Sequence, residues 1–362
     1  MNTSMENKTF YDVANNTINY SREALHIALI WSSIIVLVII MISFGCNLQY
    51  KEIKGYFLKP KGITIALLSQ FGVMPLTAFS LARLLNLGPI ESIVILLCGC
   101  CPGGNLSNVL SFALKGDLNL SIAMTGCSTM AALGMMPLLI YVYSFGLDLG
   151  QAHILVPYKN ITFSILLTII PCLIGVYVNH KWPRLSRCFV KIGAVMGIMG
   201  YIVLLVLSAI YSSGTLSALF KPMLVTSATV MPLIGYVAGY IIALLFGLPE
   251  RSRRTVCMET GCQNIQLCNA ILKAGFDPVV VGPLFMFPLL YAIFQLSEGL
   301  VILFMCRLLD KFTKAKDEKA ELSDSKRSSE EDFKDEIEEL SDSKRNSKED
   351  FKGGAPTLAL VV

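Results

Sequence analysis

The chain has 362 residues, of which 54% are hydrophobic and 15% are charged, and its formal net charge is +4. A soluble protein usually carries about 25% charged residues, so this composition excludes an ordinary soluble domain. The apolar residues come in runs about 20 long, the length of helix that crosses about 30 Å of hydrocarbon. The small net charge gives no support for a nucleic-acid partner. The composition therefore predicts an all-α polytopic membrane protein whose surroundings are the lipid bilayer.

The first 23 residues are polar and contain four Asn-x-Ser/Thr sequons, at Asn2, Asn7, Asn15 and Asn19. Four sequons in so short a stretch predict an extracellular, glycosylated terminus over residues 1–23. No basic segment with a cleavage site precedes the first apolar run, so we predict no cleaved signal peptide.

Apolar runs predict nine membrane spans within a transmembrane domain of residues 24–307. The predicted bounds are 24–46, 63–86, 90–113, 119–145, 158–179, 189–212, 222–247, 255–275 and 280–307. Lysine and arginine concentrate after the first, fifth, seventh and ninth spans, and the loops after the second, sixth and eighth are nearly free of them. Basic loops stay in the cytosol, so the N-terminus is predicted outside and the C-terminus inside. The sequons indicate the same orientation.

Two short polar segments interrupt the apolar runs, CPGGNLSN at residues 101–108 and ETGCQNIQ at residues 259–266. Irregular backbone at membrane depth persists only where it lines a protein cavity, and paired breaks in the two halves of a transporter mark its binding site. The matching amides at the breaks, Asn105 and Asn264, are candidate substrate ligands. The alternative is that they only close the helix breaks.

The two breaks lie at corresponding places in two sets of three spans. The third predicted span is the second of spans two to four, and the eighth is the second of spans seven to nine. The sequence MPL occurs at residues 74–76 and again at residues 231–233, in the span before each break. The third and eighth spans run in opposite directions, which predicts inverted repeats. The alternative is chance, since MPL also occurs at residues 136–138.

Glu259 lies inside the eighth predicted span, next to the second break. A charged side chain deep in a bilayer costs roughly +3 kcal/mol on insertion scales, and a bound cation offsets that cost. Glu259 is therefore predicted to bind a cation or a proton. The alternative is a salt bridge to Arg253 or Arg254 at the cytosolic edge of the span.

Neutral oxygen donors inside the spans favour sodium over protons. Ser121 and Thr125 are four residues apart and share a helical face, and Gln263 is four residues after Glu259 and is predicted to share its face. No histidine lies deep in a span to relay protons. A single serine or threonine can instead bond to its own helix. Cysteines 98, 100 and 101 raise a metal alternative, but no His or acidic residue has ligand spacing, so sodium is the one metal predicted. The predicted sodium ligands are Gln70, Ser107, Asn108, Ser121, Thr125, Glu259 and Gln263.

Residues 308–362 have a different composition from the spans. The segment ELSDSKRSSEEDFK at residues 321–334 recurs 18 residues later as ELSDSKRNSKEDFK at residues 339–352. Its low apolar content predicts a disordered cytosolic tail. The last three residues, LVV, are a candidate for strand addition to a PDZ-type groove.

From about residue 24 to residue 312 the chain resembles the sodium/bile acid cotransporter family. The strings that carry the resemblance are GCN at 45–47, KPKG at 59–62, QFGVMPLTAF at 70–79, CGCCPGGNLSNV at 98–109, ALGMMPLL at 132–139, METGCQNIQLC at 258–268 and FPLLYAIFQL at 287–296. The resemblance implies a panel domain of spans one, five and six. It also implies a core domain built from the two inverted triplets, with two broken, crossing helices.

The resemblance further implies two co-transported sodium ions. One site would use Ser107, Asn108, Ser121, Thr125 and Glu259. The other would use Gln70, Gln263 and Glu259 with backbone carbonyls. The function expected is a plasma-membrane symporter that takes up conjugated bile salts such as taurocholate by alternating access. Alternatives are a steroid-sulfate carrier of the same family and a membrane receptor with a vestigial sodium site. No paired catalytic carboxylates, Ser-His pair or HExxH motif favours an enzyme.

Overall fold

The computed structural model describes residues 2–48, 61–147, 158–211, 221–276 and 281–313, and these ranges are helical apart from short turns. Within them, six helices are long and apolar enough to cross a membrane. They are Glu23–Asn47, Lys61–Leu84, Leu118–Gly146, Tyr158–Lys181, Pro222–Leu245 and Leu284–Thr313. The prediction of an all-α polytopic membrane protein is confirmed.

Eleven helices follow one another in the described ranges. They are α1 (Asn2–Asn47), α2 (Lys61–Leu84), α3 (Pro89–Cys100), α4 (Asn105–Ala113), α5 (Leu118–Gly146), α6 (Tyr158–Lys181), α7 (Pro183–Tyr211), α8 (Pro222–Leu245), α9 (Glu250–Gly261), α10 (Ile265–Gly275) and α11 (287–313), with a 3₁₀ turn at Gly282–Met286. The chain forms two compact units, residues 1–303 and residues 304–362. Of the second unit only residues 304–313 are described, and they are helical.

Helix α1 begins well before the predicted first span, because the polar N-terminal residues continue the same helix from Asn2 onward. The side chains of residues 1–22, including the four sequon asparagines, lie outside the described set, so their glycosylation stays a prediction. The repeated tail and the final LVV also lie outside it.

Helix α2 contains one π-helical turn, Ser69–Val73, immediately before Met74 and Pro75. A proline lacks the N–H that would close the preceding turn, and such positions favour a widened turn. Gln70 lies in this turn and is 1% exposed. The turn thus places the Gln70 amide in the protein interior.

The helices pack in two groups. Helix α1 packs along α6 and α7, whereas α8 packs along α9 and also contacts α2. Helix α9 packs against α4 and α5, while α10 packs against α1 and α6. The second broken segment, α9 and α10, therefore touches both groups.

Candidate functional site

The two breaks cross each other and exchange backbone hydrogen bonds. The N–H of Gly104 donates to the carbonyl of Cys262 at 2.9 Å, and the N–H of Asn264 donates to the carbonyl of Pro102 at 2.9 Å. These bonds form an antiparallel bridge. Buried backbone groups need partners, and each break supplies the partners that the other has lost. The two breaks are therefore one structural unit.

The first break is made by a proline and two glycines. Cys101 is extended at φ −63° and ψ 150°, the conformation that a following proline favours. A Cβ atom added to Gly103 would overlap the Glu259 carboxylate, and one added to Gly104 would lie 2.6 Å from the carbonyl oxygen of Gln263. Glycine leaves room for the Glu259 side chain at Gly103 and for the backbone of the second break at Gly104.

The second break is made by side chains. The Asn264 Oδ1 accepts the Leu267 N–H at 3.1 Å and so caps the start of α10. The N–H of Gln263 donates to Gln295 Oε1 on α11 at 3.0 Å. These bonds satisfy the N–H of Gln263 within the break and one of the N–H groups that the start of α10 leaves without a helical partner.

The Glu259 carboxylate is held by hydroxyl groups beside the crossing. Its side chain is 1% exposed. Ser107 Oγ donates to Oε2 at 2.6 Å, and Thr125 Oγ1 lies 2.8 Å from Oε1 and 3.0 Å from Oε2. The alternative of a salt bridge is wrong, because Arg253 and Arg254 form their ion pairs with Glu250 and no basic side chain in the described ranges is ion-paired with Glu259.

The other predicted ligands of the first site lie on the same two helices as Ser107 and Thr125. Ser121, one turn before Thr125, is fully buried, and its Oγ donates to Ser111 Oγ at 3.4 Å. Asn108 follows Ser107 on α4, and its Oδ1 is buried without a hydrogen-bond partner in the described part of the chain. The structure therefore brings together a carboxylate, two hydroxyls that contact it, and nearby neutral oxygens.

Gln70 and Gln263 contact each other across the crossing. Gln70 Nε2 donates to the Cys101 carbonyl at 2.8 Å and to Gln263 Oε1 at 2.8 Å. Because a carbonyl can only accept, the amide orientation of Gln70 is determined, and its Oε1 is left buried without a partner among the described residues. A buried acceptor of this kind is unfavourable unless it binds a cation or a donor.

The predicted shared face of Gln263 and Glu259 is wrong. Helix α9 ends at Gly261, so the four-residue spacing does not continue to Gln263. The Gln263 side chain instead bonds to Gln70 and to the Thr260 carbonyl. Gln263 thus belongs to the backbone crossing rather than to the face of α9 that carries Glu259.

A cavity of about 540 Å³ lies beside the crossing. Its walls come from α1, α4, α7, α10 and α11 and are largely apolar, with a few amides, among them Asn105, Asn108 and Gln295. Pockets that bind small organic ligands have this size and composition. Asn105 therefore lies where a substrate would contact it. Asn264 is not in the wall, and its oxygen caps α10, which is the role of closing the break.

Two contributors to the site were not predicted from the sequence. Gln295 accepts the Gln263 N–H, and Tyr236 donates its hydroxyl proton to the Gln295 carbonyl at 2.6 Å. Both are almost fully buried. The signal for Gln295 was present, because it is an amide within the apolar run of residues 287–296. Nothing in the sequence distinguishes Tyr236 from an ordinary core aromatic.

Comparison with known proteins agrees with this geometry. The model of the Sodium Bile acid symporter family matches residues 34–217, which include the first break. The chain is 48% identical over 299 residues to the hepatic sodium/bile acid cotransporter of Homo sapiens, covering 83% of this chain and 86% of that protein. The chain belongs to the sodium bile acid symporter family. The resemblance found in the sequence motifs is thereby confirmed.

Other members of this symporter family are similar over most of their length. The ileal sodium/bile acid cotransporter of Homo sapiens is 39% identical over 83% of this chain and 86% of that protein. The sodium-dependent organic anion transporter of Homo sapiens is 40% identical over 75% of this chain and 71% of that protein. All three relatives are named as sodium-dependent carriers of organic anions or bile acids.

Proposed function

We propose that this symporter carries sodium ions and bile acids together into the cell across the plasma membrane. The observation that carries the proposal is the crossed pair of breaks, which holds the buried Glu259 carboxylate beside a cavity of about 540 Å³. Membrane-embedded carboxylates mark ion pathways, and crossed discontinuous helices are where transporters bind their cargo. The hepatic and ileal relatives are named as sodium/bile acid cotransporters.

The proposed mechanism uses two sodium ions. The first would bind Glu259 with Ser107, Asn108, Ser121 and Thr125. Hydroxyl groups that donate to the carboxylate keep lone pairs that can turn toward a cation, and the free Asn108 Oδ1 supplies a further oxygen. Sodium fits this set because hard cations prefer oxygen ligands.

The second sodium ion would bind beside Gln70 and Gln263. Support comes from Gln70 Oε1, which is buried without a partner in the described ranges and lies on an amide whose nitrogen is already held at the crossing. Carbonyl oxygens exposed at the two breaks would complete the coordination. Glu259, on the helix that leads into the second break, would balance the charge.

The cavity is suited to an amphipathic anion. Its apolar wall would bury a steroid body, and the amides of Asn105 and its neighbours would bind polar substituents. Half-helices α4 and α10 begin at the crossing, and helix N-termini favour negative charge. A conjugated bile salt such as taurocholate combines these two features. The sodium-dependent organic anion transporter is a relative as well, which makes steroid sulfates the second candidate cargo.

The proposed architecture has nine spans, with α1, α6 and α7 as the panel and two inverted triplets as the core. Support comes from the mutual packing of α1, α6 and α7 and from the paired breaks. In this arrangement the N-terminus is outside, where its sequons would be glycosylated, and the C-terminus is cytosolic. Rocking of the core against the panel would open the cavity to each side in turn.

Coupling follows from charge and from differential affinity. Two sodium ions with one monovalent anion move one net positive charge inward, which gains about 2.3 kcal/mol per 100 mV of membrane potential. Sodium must bind more tightly to the state that binds the anion, since a ligand with equal affinity for both states shifts nothing.

Uptake of radiolabelled taurocholate into transfected cells tests the proposal, with sodium and with choline in its place. Wild type should show sodium-dependent uptake, and Glu259→Ala should lose it at equal surface expression. The matched control is Glu250→Ala, which removes a partly exposed carboxylate at the start of the same helix and should transport normally. Robust uptake in choline would contradict the sodium sites. Binding of taurocholate without uptake would indicate a receptor. Uptake of a steroid sulfate but not of taurocholate would show that steroid sulfates are the cargo.

A further inference from the structure

Glu298 is a second carboxyl group inside a membrane span, and the proposed sodium sites do not use it. It lies on α11, near the middle of the span Leu284–Thr313. At about 1.5 Å per residue it is roughly 20 Å along the helix from either end. The side chain is half-buried, and both of its carboxyl oxygens are buried without a hydrogen-bond partner in the described part of the chain. Ionisable groups at such a depth are costly and mark function.

The surroundings of Glu298 differ from those of Glu259. Ser107 and Thr125 donate hydrogen bonds to the Glu259 carboxylate, and such bonds stabilise a negative charge. Glu298 accepts no such bond from a described residue. No lysine, arginine or histidine in the described ranges forms an ion pair with it either. The structure therefore stabilises a charge on Glu259 but provides no group that would stabilise one on Glu298.

Three titratable groups lie around Glu298. They are the Cys262 thiol of the second break, the Tyr236 hydroxyl of α8, which lies beside Gly299, and the Tyr291 hydroxyl two turns earlier on α11. The Tyr291 hydroxyl is buried and forms no hydrogen bond with Glu298. All three groups are neutral when protonated, so none of them compensates a negative charge.

The protons of two of these groups are already used in other hydrogen bonds. The Tyr236 hydroxyl donates to the Gln295 carbonyl at 2.6 Å, because a carbonyl can only accept. The same hydroxyl lies 3.2 Å from the Cys262 sulfur, and since its own proton is used, the thiol is the donor in that contact. On α4, the apolar side chain of Leu110 lies against the residue that follows Glu298.

A proton fits the Glu298 position better than a metal cation does. Sodium is a hard cation that prefers several oxygen ligands, whereas the groups around Glu298 include a thiol and aliphatic carbons. The neighbouring hydroxyl, that of Ser297, is exposed and donates to the Phe294 carbonyl of its own helix. A proton removes the charge of a buried carboxyl group and needs no coordination shell.

We propose that Glu298 is a proton-binding site, separate from the sodium sites, and that the packing of α11 against α8 and the second break requires the neutral carboxyl group. Loss of the proton would leave an unpaired charge between these elements. The stability of this helix arrangement is thus fully present while the proton is bound and is lost as rising pH removes it. Its consequence for transport rests on the proposed symport: uptake should fall at alkaline pH.

Infrared spectroscopy of the purified full-length protein tests the proton site without any transport. The carbonyl stretch of a protonated carboxyl group is separate from the bands of a carboxylate. The difference spectrum of wild type minus Glu298→Gln at neutral pH should contain this band, and alkaline titration should remove it. The matched control is Glu250→Gln, which removes a partly exposed carboxylate paired with Arg253 and Arg254 and should leave the band in place. Absence of the band from the difference spectrum would overturn the proposal.

Taurocholate uptake into proteoliposomes measures the consequence for transport. Saturating sodium is used so that protons do not displace sodium from Glu259. The ratio of wild-type uptake to Glu298→Gln uptake should fall at least about threefold between roughly pH 7 and roughly pH 9, and one proton allows at most about tenfold per pH unit. Glutamine resembles the protonated carboxyl group, so this variant should transport throughout. Glu298→Met, which is also uncharged and of similar length, carries both measurements if Glu298→Gln does not fold.

The outcomes separate this inference from the symport. Absence of sodium-dependent taurocholate uptake by wild type at every pH would overturn the symport, while the infrared spectrum would still decide the proton site. Sodium-dependent uptake with a ratio to Glu298→Gln that does not change with pH would overturn the requirement for the neutral carboxyl group. An equal change in the ratio of wild type to Glu250→Gln would overturn it as well, because the pH dependence would then not belong to Glu298.

Discussion

The two breaks exchange backbone hydrogen bonds but are built from different chemistry. The first interrupts its helix with Pro102 and uses Gly103 to leave room for the Glu259 carboxylate and Gly104 to let another backbone come close. The second has no proline, and it is held open by the side chains of Asn264 and Gln295. One break provides space and the other provides polar groups. A crossing needs both. Two breaks with large side chains could not approach each other closely, and two breaks without polar side chains would leave buried backbone groups without partners.

The largest effect should come from filling the space at the first break. A methyl group at Gly103 would overlap the Glu259 carboxylate. Overpacking of this kind costs about 1–3 kcal/mol, and here it displaces a proposed cation ligand, so Gly103→Ala should abolish sodium-dependent uptake. The control is Gly134→Ala on α5, where an added Cβ meets nothing within 4 Å. Normal uptake by Gly103→Ala, measured per transporter at the surface, would show that transport does not require this close contact between Gly103 and the Glu259 carboxylate.

The amide that bridges the two breaks should come next. Gln70→Met removes two hydrogen bonds across the crossing and the free Oε1. We expect the half-saturating sodium concentration to rise roughly tenfold, equivalent to about 1.4 kcal/mol. Sodium titration of uptake measures it. Thr77→Val, which removes a hydroxyl that donates to the Val73 carbonyl of the same helix, is the control on α2. An unchanged sodium requirement in Gln70→Met would remove Gln70 from the proposed second site.

A smaller effect should follow from removing one hydroxyl at Glu259. Ser107→Ala and Thr125→Val should each raise the half-saturating sodium concentration by roughly two- to tenfold. This is less than the loss of a full hydrogen bond to a charged group, because the remaining ligands still bind the ion. Because both side chains contact the same carboxylate, the double variant should not show the sum of the two effects. Additive changes in sodium titrations would indicate that the two hydroxyls act at separate places.

The smallest effect should appear at the cap of the second break. Asn264→Ala removes the acceptor for the Leu267 N–H, which costs about 1 kcal/mol of stability. The melting temperature in detergent should fall by a few degrees, and Asn264→Ser, which retains a capping oxygen, should recover most of it. If Asn264→Ser instead restored stability but left taurocholate uptake impaired, the asparagine would have the substrate-binding role that its sequence position suggested.

Sequence reasoning located the breaks and Glu259 because the cost of polar groups in a bilayer is so large that few of them occur by chance. It was less successful with the side chains next to the breaks. Gln263 was assigned to the Glu259 face because the spacing of four assumes a continuous helix, and α9 ends at Gly261. Asn264 was predicted to bind substrate, and that role stays a prediction, whereas the capping of α10 by its oxygen is visible only in the structure. At both residues the helical period stops at the break.

The sequence by itself determined the membrane-spanning class of this symporter, the positions of its breaks and its buried carboxylate, because these depend on hydrophobicity and on local helix chemistry. Only the tertiary structure decided which oxygens face one another. Gln70 and Gln263 are 193 residues apart in the chain, and Ser107 and Glu259 are 152 apart. Their contacts arise where two broken helices cross. That crossing is set by backbone hydrogen bonds and close glycine packing between distant segments, which no local pattern records.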